Sequence, residues 1–158
     1  MTRNLAFANR LREVFLNGTW IANTNYKEQL LSFSYEEAIF KISDLNMIAL
    51  LTFHIDYYLK GLIQVMDGGE LEIRDKYSFD LPEIKSAADW NSLVQNFLEH
   101  AVIFADQVEQ MNEDHFDQPF VDVKYGNYAR NIEAIIEHSY YHLGQISLIR
   151  KMIKQAQA

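Results

Sequence analysis

The sequence predicts an all-α protein: a four-helix bundle with crossover connections, one short extra helix and long loops. Three observations carry that expectation. Apolar residues recur at intervals of three and four positions through most of the chain, the period of a half-buried helix. The four longest such stretches are bounded by helix-capping and glycine signals. Two of the segments between them exceed a dozen residues, more than an up-down bundle needs, and connections of that length often carry function. With 158 residues the chain has the length of one domain, 1–158, and can bury a core without disulfides.

The first helix is expected from Leu5 to Leu16, with Leu5, Ala8, Leu11 and Phe15 on one face and Asn17-Gly18 ending it. Thr19 to Ser34 reads as turn-rich. Ser34-Tyr35-Glu36-Glu37 has the form of a capping box, in which hydroxyl and carboxylate satisfy each other's free amides, and opens the short helix toward Ile42. Asp44 is the expected N-cap of the second long helix, which ends near Met66 before Gly68-Gly69. Glu70 to Lys85 holds Pro82 and no steady period, so it reads as an irregular connection. Ser86 caps the third long helix, which reaches about Met111. Asn112 to Asn127 is the second long connection, and its Phe120-Val121-Asp122-Val123 alternates weakly, as a strand or nothing regular. The fourth long helix runs from about Tyr128 to Gln155.

Composition narrows the function. The hydrophobic fraction of 49% argues against disorder. A formal charge of −8 repels phosphate backbones, so no nucleic-acid partner is expected. Arg150, Lys151 and Lys154 suit the negative end of a helix dipole better than a DNA patch. No apolar run spans a bilayer, and no basic amphipathic stretch suits an anionic membrane. The opening residues carry charges where a signal peptide is apolar, so a cytoplasmic protein is expected. There is no cysteine, so a metal site must use nitrogen and oxygen ligands.

His138 and His142 are spaced H-x-x-x-H, which puts both rings on one helix face. On a helical wheel Asn131, Ile135, His138, His142, Gln145, Ile149, Met152 and Ile153 form one stripe, with Glu133, Tyr140, Gly144, Ser147 and Lys151 opposite. On the second long helix Met47, Leu50, Leu51, His54, Tyr58, Leu62 and Val65 form the stripe, with Asp56 and Lys60 pointing the other way. Burying an imidazole without a partner costs a few kcal/mol. One divalent ion shared by His54, His138 and His142 removes that cost for all three rings. Three imidazoles leave coordination positions open, the form of a catalytic site. Zinc or nickel fits nitrogen ligands best, and iron, manganese and cobalt are compatible. Water on such an ion becomes a nucleophile or base, or an exogenous thiolate takes the open position.

Each residue also has a plainer reading. Two histidines fall four apart by chance in many helices, and a lone one is most often a hydrogen-bonded core residue. His100 reads as a boundary residue of the third long helix, and His115 as part of a solvated acidic loop with Glu113, Asp114 and Asp117. Tyr58, one turn from His54, either donates a proton at the site or simply packs its ring. Gln145, one turn beyond His142, is placed to accept from a ligating ring's other N–H. Ser139 projects to a different side from His138, so no serine–histidine pair follows.

The inward His54, together with His138-Ser139-Tyr140-Tyr141-His142-Leu143-Gly144-Gln145, resembles the DinB-like superfamily of metal-binding four-helix proteins. The resemblance covers essentially the whole chain, and Tyr125-Gly126-Asn127-Tyr128, with the run from Glu137 through Gln145, resembles an uncharacterised bacterial branch. It implies a crossover bundle, a three-histidine metal site, often a homodimer, and no DNA binding. Characterised relatives include S-transferases that use bacillithiol, mycothiol or glutathione, and a mycothiol-dependent isomerase. The resemblance therefore implies a metal-dependent enzyme that activates a low-molecular-weight thiol or water for attack on a small-molecule substrate. The competing reading is a non-catalytic metal-binding, ligand-binding or dimerisation module. A third is a metal-free bundle whose core histidines are linked by water.

Overall fold

The computed structural model describes residues 1–156, and every regular element among them is helical. Helix α1 spans Arg3–Arg12 and continues as a π-helical turn over Glu13–Asn17, burying Phe7, Ala8, Leu11, Val14 and Phe15. It ends at Gly18, as expected, but not through a left-handed cap. The Gly18 backbone is extended (φ −95°), and its amide donates to the Glu13 carbonyl at 3.2 Å. A Cβ there would lie 2.1 Å from the Glu13 side chain, so this turn requires glycine for close approach.

The turn-rich stretch holds a helix that periodicity misses, α2 over Tyr26–Leu31. Asn25 caps it by accepting from the Glu28 amide at 2.9 Å. Six residues are too few for a period to show, but Tyr26 is fully buried against Phe15 and Phe97, and its hydroxyl donates to the Ser139 carbonyl at 2.9 Å. Replacing Phe97 of this cluster with alanine would cost about 3–5 kcal/mol by lost burial and a cavity.

The capping box at Ser34 forms as expected, with Ser34 Oγ accepting from the Glu37 amide and Glu37 Oε2 from the Ser34 amide. Its helix α3 is shorter than expected and stops at Ala38 (Tyr35–Ala38). Helix α4 spans Ile48–Met66, and its N-cap is Met47 rather than Asp44. Ser43 takes a left-handed φ of 49° and the Leu45 amide bonds the Ile42 carbonyl, so a tight turn occupies the residues a helix from Asp44 would need. The far end of α4 stops before Gly68 (φ +85°) as expected.

Helix α5 spans Ala87–Gln110, with Ser86 Oγ accepting from the Asp89 amide at 3.2 Å. Helix α6 spans Tyr128–Ala156. The first long connection contains one 3₁₀ turn, Asp75–Tyr77, and the second contains two, Glu113–Asp117 and Val123–Tyr125. The weak alternation at Phe120-Val121-Asp122-Val123 is not a strand; Phe120 alone is a buried anchor, while Val121 and Val123 are exposed.

The principal contacts run from α1 to α5, α5 to α4, α4 to α6 and α6 to α1. Consecutive long helices α1 and α4, and α5 and α6, are not among these pairs. No helix among the described residues is long and apolar enough to cross a membrane. Glu113 and Asp117 are not simply solvated: Arg3 binds both, reaching Asp117 Oδ2 at 2.8 Å and tying the second connection to the start of α1.

Candidate metal centre

The two histidine-bearing faces lie against each other, but not as the wheel places them. The most deeply buried residues of α4 are Ile48, Ala49, Leu51, Thr52, Ile55 and Leu59, and those of α6 include Ile136, Ser139, Leu143 and Ile146. At about 100° per residue, His54 is rotated from its helix's buried centre by roughly a quarter turn. His138 and His142 are displaced to the same flank. The expected position in the middle of the seam is therefore corrected to its edge. The first long connection covers this edge and makes the apolar stripe look wider in sequence than the core itself is.

The geometry brings His54, His138 and His142 together. Their Nε2 atoms meet at 3.2 Å between His54 and His138 and at 2.9 Å between His142 and His138. One nitrogen from each ring lies within 4.8 Å of the others, so the three can hold a metal ion. His54 and His142 are buried and His138 is half-buried. The rings meet edge-on, with centroids 4.6–5.0 Å apart.

The backs of two rings are held. His54 Nδ1 faces the Ser78 carbonyl at 3.3 Å, and His142 Nδ1 faces Gln145 Oε1 at 2.6 Å. A carbonyl only accepts, so Nδ1 of each ring carries the proton and Nε2 presents its lone pair inward. Gln145 thus stands where the sequence analysis expects an acceptor. With no cation present, a proton on His138 Nε2 can serve only one of its two neighbours, and the lone pair of the other is left without a donor. Burial first, and then the neighbouring rings, push the His138 imidazole down to about 4. Burial and His142 also lower His54, and burial lowers His142. The three rings are therefore neutral donors near neutral pH.

This donor set fits a divalent ion. Metal–nitrogen bonds of about 2.1 Å place tetrahedral ligands about 3.4 Å apart, slightly wider than the 3.2 and 2.9 Å from His138 to its two neighbours.

The first connection forms the cover. Phe79 stacks on His54 at 4.1 Å with the rings 16° apart, and Ser78 supplies the carbonyl already described. The segment is pinned to α4 at neighbouring points: the Arg74 amide donates to the Tyr57 hydroxyl and the Tyr58 hydroxyl donates to Asp75 Oδ1, both at 2.9 Å. Gly61 lets it lie close, since a Cβ there would meet Ile73 at 2.3 Å. Tyr58 sets its ring edge-on to His54 and His138, and its hydroxyl donates to Asp75. Burial, and then Asp75, push that hydroxyl up to about 12, so it stays protonated as a donor. Ser78, Phe79 and Asp75 escape sequence reasoning because their segment has no period to place them.

The remaining histidines stand apart. His100 Nδ1 meets Asp56 Oδ1 at 2.7 Å between α5 and α4. Asp56, expected to point away from the histidine stripe, does so, but it is buried against α5. His115 lies against the Tyr128 ring at 4.2 Å. Ser139 is buried and donates to the Ile135 carbonyl, so it takes no part in the cluster. No protein-family model, curated protein or solved structure matches this chain.

Proposed function

We propose that His54, His138 and His142 hold one divalent metal ion and that the chain is a metal-dependent enzyme acting on a small molecule. The observation that carries this reading is the convergence of three Nε2 atoms, with the lone pairs of two of them, on His54 and His142, fixed inward by Ser78 and Gln145 behind the rings. When bound, such an ion lowers the pKa of a coordinated thiol or water enough to make it a nucleophile at neutral pH. The chain's own residues orient the donors, and Phe79 and Tyr58 keep bulk water from them.

The helix contacts support a four-helix bundle with crossover connections, and one histidine on α4 with two on α6 supports a place in the DinB-like superfamily. In that setting the thiol comes from a low-molecular-weight cosubstrate, consistent with a chain that has no cysteine. The test is metal analysis of untagged protein, followed by assays with thiols and small electrophiles. About one zinc or nickel ion per chain, absent from His54→Ala, and metal-dependent turnover are expected. Stoichiometry far below one that His54→Ala does not change would overturn the metal site. Tight metal retention without turnover would assign the site to binding alone.

A further inference from the structure

A cavity of 330 Å³ opens beside the histidines. It begins one turn beyond His54, at Tyr58 and Leu62 of α4, and reaches Asn131 of α6, two turns before His138. The long connections form the rest of its wall and leave it open to solvent: the first supplies Leu71, Ile73 and the exposed Asp75, and the second supplies Phe120 and Tyr125. It lies at the small end of the range for ligand pockets, and its lining mixes polar and apolar surface in nearly equal parts, with three aromatic rings among its residues.

Its charge is one-sided. Asp75 is the only charged side chain in the lining. One of its oxygens accepts from Tyr58, and no Lys or Arg among the described residues pairs with it. Arg74, next in the chain, forms no ion pair with Asp75, and three other nearby cations are engaged elsewhere. Lys124 pairs with Asp122 at 3.2 Å while lying over the Tyr125 ring, Arg130 pairs with Glu137 at 3.2 Å, and Lys76 lies over Tyr77. Asn131 has spent its amide hydrogens on the Tyr125 and Asn127 carbonyls, so its side chain can offer the cavity only an acceptor. The cavity thus combines a carboxylate, an amide oxygen and aromatic faces, all of which favour a cation or a hydrogen-bond donor. An anionic ligand would meet Asp75 without compensation.

We propose that this cavity binds a small organic ammonium with an apolar body, the nitrogen on Asp75 and the body against Tyr58, Leu62 and Phe120. As a substrate subsite it rests on reading the adjoining histidines as the reaction centre, but ammonium binding itself requires no metal. The net charge of −8 also favours the approach of cations over anions.

Benzylamine, benzyl alcohol and benzoate share one body and differ in charge, so they serve as probes. Each is titrated into chelated and into zinc-loaded protein, with binding followed by NMR shifts of residues lining the cavity. Benzylamine is expected to bind both forms at least about 10-fold more tightly than benzyl alcohol, and benzoate to leave the lining signals unmoved. Asp75→Asn keeps an acceptor for Tyr58 and removes the charge. It should erase the preference for the amine while leaving alcohol binding and zinc stoichiometry unchanged. Leu71→Trp, which fills the cavity from its wall, should abolish both. Equal affinity for amine and alcohol, an Asp75→Asn variant that keeps the preference, or amine binding only when zinc is present would each overturn the proposal. Zinc stoichiometry is measured on the same samples, so failure of the metal site and failure of the cavity are separately visible.

Discussion

His54 and Asp56 are two residues apart on α4 and face different neighbours, and each meets a histidine in a different way. On one flank His54 meets His138 and His142, with no carboxylate among the converging groups. On the other, Asp56 meets His100 at 2.7 Å. Burial and mutual repulsion lower the pKa values of the first group, whereas Asp56 raises His100. The lesson is that burial alone does not identify a functional histidine. A histidine with a carboxylate partner is already satisfied. Three whose Nε2 atoms converge with no carboxylate between them can hold a metal ion.

The sharpest way to break this comparison is to remove a ligand. His54→Ala, His138→Ala and His142→Ala should each lose stoichiometric zinc, read by metal analysis of untagged protein. Zinc at about a thousand times its Kd should stabilise the wild type by about 4 kcal/mol, seen as a rise in Tm, and should leave these variants unmoved. His100→Ala should respond to zinc as the wild type does; loss of its zinc response would falsify the separation of the two flanks.

A smaller effect is expected behind the ring of His142. Gln145→Ala removes the acceptor at 2.6 Å and should weaken zinc binding by about 10–100-fold without abolishing it, measured by competition with a chromophoric chelator.

On the opposite flank, Asp56→Asn keeps a hydrogen-bonding group and removes the charge. It should lower unfolding stability in urea by about 1 kcal/mol near pH 6 and leave zinc affinity unchanged. A changed zinc affinity with unchanged stability would reverse the assignment.

The smallest effect is in pH. The folded pKa of His100 is raised above its ordinary value of 6.5. Its pairing with Asp56 therefore contributes stability fully below about pH 6.5, and that contribution fades as pH rises through the folded value. The metal-free triad has the opposite sign. Its lowered folded values mean stability is lost as pH falls from about 6.5 toward the His138 value of about 4. NMR titration of chelated protein should show His100 titrating above, and His138 below, the ordinary histidine range.

Local chemistry determines what the sequence alone reveals. The helical class, the capping box at Ser34, the caps at Ser86 and Gly68 and the shared face of His138 and His142 all depend on residues within a turn or two of one another. Gln145 was legible for the same reason, one turn from its partner. The N-cap at Asp44 failed because Ser43 turns the chain there, and α2 stayed hidden because its six residues are held by Tyr26 reaching Ser139 across the core.

Only the tertiary structure decided that His54 sits at the edge of the core, that Ser78 and Phe79 cover it, and that Asp75 faces a cavity beside it. Those placements come from an aperiodic connection, whose path is set by where it docks on α4, at Tyr57, Tyr58 and Gly61, and not by any repeating preference of its own residues. A helix announces its buried side through its period; a loop acquires one only from the surface that receives it.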